Sequence, residues 1–185
     1  NYMIKSRGQK IVYLGRYDVL HKGIDFLIKI AKFLPENIDV HLYGTEDVKT
    51  KHWFQQLQIN LPNNVFIHGP VFGAEKVKVL TEASIYIQTS RWEVFGISIA
   101  EAMYLGVPCA VTETVNLSDV FQNHDLGCVL ASDPKSAAMQ LCRILGDSSQ
   151  LQRWSQRSRR YAQENFQAQI VAKNLLDFYQ EVISP

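Results

Sequence analysis

The chain has 185 residues, with 19 lysines and arginines against 18 aspartates and glutamates, and its formal net charge is +1. Hydrophobic residues make up 46% of it and charged residues 20%, which is typical of a globular domain with one sizeable core. The near-neutral charge excludes the basic surface expected of a nucleic-acid-binding protein. The longest apolar runs are far shorter than the ~20 residues that a membrane-spanning helix needs.

The cysteines are few and scattered, at Cys109, Cys128 and Cys142. Their odd number and the lack of any C-x-x-C or His/Cys cluster argue against a disulfide scaffold and against a zinc site. We therefore expect buried, reduced thiols in a cytoplasmic protein, and no metal. Because the sequence begins with Asn1 rather than methionine, we also expect it to be part of a longer protein.

Short β-branched runs alternate with longer amphipathic stretches along the chain. The predicted strands are 10–15, 39–43, 65–68, 85–88, 109–112 and 128–130. The predicted helices are 23–34, 48–57, 76–81, 96–105 and 135–145, followed by two or three more from residue 149 to about 182. This rhythm indicates an α/β fold, a doubly wound Rossmann-like parallel sheet with helices on both faces and a helical C-terminal tail. We predict a single domain over 1–185, with the α/β core at 10–148 and the tail at 149–185.

In such open sheets, ligands bind outside the carboxyl ends of the strands. The loops to inspect are 15–23, 44–47, 68–72, 88–96 and 112–116. The first of them, G-R-Y-D-V-L-H-K-G, matches neither G-x-G-x-x-G nor the P-loop. No G-x-S-x-G elbow and no Asp-x-Asp is present either. These absences argue against the familiar dinucleotide, P-loop and hydrolase sites and against a carboxylate seat for magnesium.

That first loop does carry two cations, Arg16 and Lys22. A guanidinium binds phosphate oxygens in a bidentate manner, and an ammonium adds a mobile point charge. Together they could neutralise a diphosphate without a metal. The alternative is that both are solvated surface charges, which contribute little.

The segment from residue 90 to 108, S-R-W-E-V-F-G-I-S-I-A-E-A-M-Y-L-G-V-P, is the most informative. Gly96 is placed where a helix begins, so a phosphate can approach unpaired backbone N–H groups there. Glu101 follows on that helix and can accept hydrogen bonds from both hydroxyls of a ribose, and Glu93 can do the same for a sugar. The alternative is that Glu101 is an exposed helix residue and that Glu93 only complements the helix dipole.

These motifs resemble the C-terminal, donor-nucleotide half of the GT-B-fold retaining glycosyltransferases of family 4, also called glycosyl transferases group 1. The matching pieces are I-V-Y-L-G-R with K-G seven residues later, V-F-I-H-G-P-V, and E-V-F-G-I-S-I-A-E-A-M-Y-L-G-V-P. They occur in the family's order and cover about residues 10–182. Glu93 and Glu101, with seven residues and an F-G between them, are the most specific part.

The resemblance assigns roles to individual residues. Arg16 and Lys22 match the pair that contacts the donor diphosphate, and Glu93 matches the acid near the donor sugar; these three are the catalytic set that it implies. Glu101 matches the acid that binds the ribose. The backbone N–H groups of Phe95, Gly96 and Ile97 match the phosphate cradle, and the loop around His68 matches the edge that meets the nucleobase.

Two departures from the family pattern are visible. After Thr112 the family has a glycine pair and then an acid, whereas this chain has V-N-L-S-D, in which Asp119 would stand in for the acid. The aromatic residue that usually follows the phenylalanine of the tail is missing after Phe166. The first departure bears on the acceptor-side loop, and the second on packing.

The resemblance implies a hexosyltransferase-type enzyme that moves a sugar from a nucleotide sugar, UDP-linked by expectation, to an acceptor hydroxyl with retention, in polysaccharide or glycoconjugate synthesis. It implies no cofactor and no metal. The acceptor would bind an N-terminal domain missing from this chain, so the fragment alone should be inactive. The alternatives are a non-catalytic nucleotide-sugar-binding module and, on the same architecture, a sugar epimerase.

Arginines gather in the tail, where Arg153, Arg157 and Arg160 share a predicted helix face. That face could touch anionic lipid headgroups at the inner side of a membrane. Alternatively it is a solvated face or a contact with the missing domain.

Overall fold

A computed structural model describes residues 9–183, and the first eight and last two residues of the predicted domain lie outside this range. The strands are β1 Gln9–Leu14, β2 Ile38–Tyr43, β3 Val65–His68, β4 Ile85–Gln88, β5 Cys109–Thr112 and β6 Gly127–Leu130. The helices are α1 Ile24–Ala31, α2 Lys51–Gln58, α3 Gly73–Thr81, α4 Ile97–Tyr104, α5 Ser118–His124, α6 Pro134–Gly146, α7 Ser148–Asn165 and α8 Ala168–Ile183.

All six strands are parallel, in the order β3-β2-β1-β4-β5-β6. The order reverses between β1 and β4, so the connections after these two strands diverge and leave a crevice at their carboxyl ends. The fold thereby brings the loop after β1 beside the loop after β4. These are the two loops that carry the predicted site residues.

The sheet has an apolar core on each face because its strands alternate. Ile11 and Tyr13 of β1 pack into one core, with α1, α2 and α6. Val12 and Leu14 pack into the other, with α3, α4, α5 and α7. Full burial of each such side chain contributes about 1.5–3 kcal/mol to folding. The predicted doubly wound α/β fold is confirmed.

Most predicted elements are present, with shifted ends and one omission. α3 begins at Gly73 rather than at residue 76, and α2 begins at Lys51 rather than at 48. α5 was not predicted because its cap, Leu117, offers no side-chain acceptor and its seven residues show no apolar period. The predicted start of α6 is confirmed, since Asp133 accepts a hydrogen bond from the Ser136 amide at 2.8 Å, which lowers the pKa of Asp133.

The tail forms the two helices α7 and α8. α7 packs on the core through Trp154, Ser158 and Ala162, whereas α8 buries none of its 16 residues. One face of α8 exposes an apolar stripe of Val171, Leu175, Phe178, Tyr179 and Val182. No helix within residues 9–183 is long and apolar enough to cross a bilayer.

The three cysteines are free thiols, as predicted. Cys109 and Cys128 are buried and Cys142 is half-buried. Burial raises the pKa of Cys128 to about 11 and that of Cys109 further. Cys109 and Cys128 are therefore protonated at neutral pH.

Candidate functional site

The loops after β1 and β4 are locked together at the crevice. The guanidinium of Arg91 donates to the carbonyl oxygens of Val19 at 2.8 Å and Leu20 at 3.0 Å. The Thr89 hydroxyl donates to the carbonyl of Lys22 at 3.1 Å. Gly23 has φ +63°, and a Cβ there would collide with the Thr89 carbonyl. Only glycine permits this approach, which fixes Lys22 opposite the second loop.

Lys22 and Glu93 form an ion pair across the crevice, and each side chain is only 15% exposed. Beneath Glu93, buried polar groups continue the contact. Ser90 Oγ lies 3.4 Å from Glu93 Oε2 and accepts from Gln88 Nε2 at 2.6 Å, and Gln88 Oε1 accepts from the Tyr86 hydroxyl at 2.5 Å. The carboxylate of Glu93 is thus fixed from two sides.

Gly96 caps α4 in a conformation that favours glycine. Its φ is +72°, and a Cβ there would lie 2.6 Å from Cδ1 of Ile99. Within residues 9–183, the amides of Phe95, Gly96 and Ile97 have no hydrogen-bond acceptor. Free amides at a helix start are an anion site. They line a cavity of about 420 Å³ together with Lys22 and Glu93, which we call the Glu93 cavity.

Arg16 lines a second, adjoining cavity of about 250 Å³, which shares Leu14, Gly15 and Ser98 with the first. We call it the Lys76 cavity, after a lysine on its wall. Arg16 donates to Asp47 Oδ2 at 2.6 Å, and its side chain is 56% exposed while that of Asp47 is 10% exposed. Arg16 therefore lies at the mouth of the crevice and can turn toward a ligand.

Glu101 lies farther along α4, away from the Glu93 cavity. Its Oε1 accepts from Nζ of Lys76, in the first turn of α3, at 2.5 Å. Its Oε2 is shielded from solvent and has no partner within the described residues. Glu101 lines a third and mainly apolar cavity of about 490 Å³ between α3, α4 and Phe166. Lys76 lines both this cavity and the Lys76 cavity.

His68 ends β3 in a stack of rings. Its ring lies 4.3 Å from that of Tyr43, and its Nε2 lies 2.9 Å from Nδ1 of His41. The Tyr17 hydroxyl donates to the carbonyl of His68, which fixes the start of the following loop. Burial lowers the pKa of His41 to about 4 and also lowers the pKa of His68, with Lys10 adding to both effects. Both rings are therefore neutral at pH 7.

The V-N-L-S-D segment supports Glu93 through the backbone. Glu93 pairs with Val115 in a parallel bridge, and the amide of Asn116 donates to the carbonyl of Glu93 at 3.0 Å. Asp119 lies exposed in the first turn of α5. On the other side, the ring of His21 stacks on Trp92 at 4.6 Å.

The crevice brings together Lys22, Glu93 and the start of α4, and places Arg16 beside them. His68 and Glu101 line neither of these two cavities. Sequence reasoning missed Asp47, Lys76 and Gln88. Asp47 lies in one of the loops marked for inspection, but Lys76 gives no signal because its partner is 25 residues away along the chain.

Two further predictions concern metals and membranes. Among residues 9–183, no group of three or more His, Cys, Asp or Glu side chains is arranged to hold a metal. On α7, Arg157 pairs with Asp125 and Arg160 with Glu164. That face therefore offers less free positive charge than the sequence suggested.

The model of the family described as glycosyl transferases group 1 matches residues 2–161. Glycogen synthase 2 of Nitrosococcus oceani is 27% identical in an alignment of 183 positions that covers 93% of this chain and 37% of that protein. The Anabaena Alr3699/HepE structure in complex with UDP and glucose has a TM-score of 0.82 at 16% identity, over 95% of this chain and 49% of the other. The structure of WaaG, a glycosyltransferase involved in lipopolysaccharide biosynthesis, has a TM-score of 0.70 at 21% identity, over 86% of this chain and 44% of the other.

The solved structures, at these identities, support the fold. The chain spans less than half the length of the curated relatives that it matches. The family model, by contrast, extends over most of the chain and includes both loops of the crevice. This protein therefore belongs to the glycosyl transferases group 1 family.

Proposed function

We propose that this chain binds the donor of a retaining glycosyltransferase, which moves a sugar from a UDP-sugar to an acceptor hydroxyl. The observation that carries the proposal is the Glu93 cavity, where Lys22 and Glu93 meet the free amides at the start of α4. A cation and unpaired N–H groups suit a diphosphate. A fixed carboxylate beside them suits the hydroxyls of the sugar that the diphosphate carries.

The chemical step requires stabilisation of the departing nucleoside diphosphate. Negative charge grows on its phosphate oxygens as the glycosidic bond breaks. Lys22 and the amides of Phe95, Gly96 and Ile97 lie where they can receive this charge without reorganisation, which is the usual basis of electrostatic catalysis. Arg16 can add a bidentate contact once it leaves Asp47. Glu93 orients the sugar, and orientation alone can supply several kcal/mol.

Lys22 must divide its contacts between two anions. In the free protein its charge is neutralised by Glu93. An ammonium has three donors, so Lys22 can keep Glu93 and still donate to a phosphate oxygen. The pair is then neutral overall, and Glu93 does not repel the incoming diphosphate.

The choice of UDP and the role in polysaccharide or glycoconjugate synthesis are part of the proposal. UDP is bound in the Anabaena structure, and WaaG acts in lipopolysaccharide biosynthesis. The acceptor would bind an N-terminal domain outside this chain. The exposed apolar stripe of α8 is a suitable surface for such a domain.

Calorimetric titration of the chain with UDP, GDP and ADP tests the proposal. We expect UDP to bind, and Lys22→Ala and Glu101→Ala to weaken binding. Lys32→Ala, which removes an exposed lysine from the end of α1, should leave it unchanged. Unchanged affinity in both site variants, or no binding of any nucleotide, would refute the site. Transfer of labelled sugar by the full-length protein, with none by the chain alone, would distinguish an enzyme from a non-catalytic module.

A further inference from the structure

Lys76 pairs with the predicted ribose acid, Glu101, at the border of the crevice. It lies in the first turn of α3, and its side chain lines both the Lys76 cavity and the apolar cavity that Glu101 lines. Glu101 lines only the latter of these two. The cavity that Glu101 lines shares Phe95 and Ile97 with the Glu93 cavity, and it shares Lys76 with the Lys76 cavity. A nucleotide that extends along the crevice can therefore reach both Lys76 and Glu101.

The two side chains are partly buried, with 29% of Lys76 and 35% of Glu101 exposed. Lys76 bonds one oxygen of Glu101 at 2.5 Å, and the other oxygen is shielded and unpartnered within residues 9–183. A buried acceptor without a donor costs about 1–3 kcal/mol. In the free protein, one oxygen of the Glu101 carboxylate therefore has a hydrogen-bond donor, Lys76, and the other has none among the described residues.

The resemblance already assigns the ribose to Glu101; we propose that Lys76 is a further specificity residue, which contacts the vicinal diol of the nucleotide's ribose together with Glu101. Each hydroxyl of a diol is both donor and acceptor. Glu101 accepts from the diol through its unpartnered oxygen after a small turn of the carboxylate. Lys76 keeps its bond to the first oxygen and uses a second of its three donors on a hydroxyl oxygen.

The pairing also solves an electrostatic problem. An unpaired carboxylate near a bound diphosphate would repel it, whereas the Lys76–Glu101 pair is neutral and still offers a donor and an acceptor. Lys76 is then a specificity residue for ribose. This inference rests on the proposed function, because it presumes that a nucleotide binds the crevice.

The test compares UDP with 2′,3′-dideoxy-UDP, which has the same charge but no diol. We expect the wild-type chain to bind UDP about 100-fold more tightly than the dideoxy compound, the worth of about two charge-assisted hydrogen bonds, one to Glu101 and one from Lys76. In Lys76→Met this ratio of Kd values should fall to about tenfold, because Glu101 still accepts from the diol. The ratio is insensitive to the long-range field, since both ligands carry the same charge.

Lys78→Met is the matched control, because it removes an exposed lysine from the same helix. It should keep the wild-type ratio. Lys76→Gln serves as a second variant if Lys76→Met does not fold, with folding checked by thermal unfolding.

The outcomes separate this inference from the proposed function. If the wild-type chain binds neither compound, the proposed function fails and the inference fails with it. If the wild-type chain binds UDP but Lys76→Met keeps the wild-type ratio, or weakens both ligands by the same factor, the nucleotide site stands and the role of Lys76 in binding the diol is refuted.

Discussion

The two glutamates of the family motif lie on one loop–helix segment, yet the structure holds them in opposite ways. Glu93 is 15% exposed, pairs with Lys22, and rests on the buried side chains of Ser90 and Gln88. Glu101 is 35% exposed, bonds only Lys76 among the described residues, and leaves one oxygen unpartnered. The carboxylate of Glu93 is held by several buried groups, whereas that of Glu101 is held by one partly buried ion pair.

This difference separates preorganised from adjustable parts of the site. A group near the reacting bond gains most from a fixed position, because it then stabilises the transition state without reorganisation. A group that recognises the nucleotide far from that bond can turn on binding. The Glu93 end should therefore respond to substitution in both folding and binding, and the Glu101 end in binding alone.

The largest effect should come from Lys22→Met. It leaves the Glu93 carboxylate, only 15% exposed, without its ion-pair partner. It also removes a cation that lines the same cavity as the free amides. We expect UDP affinity to fall about 100-fold, the worth of about two charge-assisted hydrogen bonds. Calorimetric titration checks this against Lys32→Met. A loss no larger than that of Lys76→Met would break the distinction between the two ends.

Gly96→Ala should be the next largest. The φ of +72° and the 2.6 Å approach of the new Cβ to Ile99 strain the start of α4, at a cost of about 1–3 kcal/mol in the free energy of unfolding. UDP affinity should fall as well, since the amide cradle is displaced. Denaturant unfolding and titration measure the two effects. Wild-type values in both would show that this backbone conformation is not needed.

How far the sequence leads can be judged from these same residues. The spacing of apolar residues was enough to predict the sheet and most helices. In β1, for example, the neighbours Ile11 and Val12 pack into opposite cores. The location of both loops at the carboxyl-end edge was also predicted, since parallel strands place their loops at one edge. The ion pair of Lys22 with Glu93 was not, because it depends on the adjacency of β1 and β4. The contact partners that other elements supply to the site residues could not be predicted from the sequence. Asp47 and Lys76 reach the site across the fold, and no local pattern marks such contacts.

Gln88→Leu should affect stability more than binding. Gln88 is buried and joins the Tyr86 hydroxyl to Ser90, so its loss leaves buried polar groups without partners, at about 1–3 kcal/mol of unfolding free energy. UDP affinity should fall only a few-fold, since Lys22 still holds Glu93. Lys76→Met, measured in the same denaturant series, should leave stability near the wild-type value. Equal losses of unfolding free energy in the two variants would show that the fold holds the carboxylates of Glu93 and Glu101 equally firmly.

The smallest expected effect is a pH dependence of stability that arises from His41, which contacts His68. Burial lowers the pKa of His41 to about 4, below its ordinary value of about 6.5 in the unfolded chain. Protons therefore bind the unfolded chain more strongly, so the unfolding midpoint should be constant above about pH 7 and fall as the pH drops from about 6.5 toward 4.

The measurement is best confined to pH 6.5–5, above the range in which Asp133 and Asp147, whose pKa values are lowered by hydrogen bonds from their capping partners, take up protons. His41→Gln should flatten the slope of the midpoint against pH in this window. His124→Gln, at an exposed position on α5, should leave the slope unchanged. Burial disfavours the protonated imidazole, so acid protonates this ring in the unfolded chain first and thereby destabilises the folded one. A wild-type slope in His41→Gln would mean that the acid sensitivity arises from other groups.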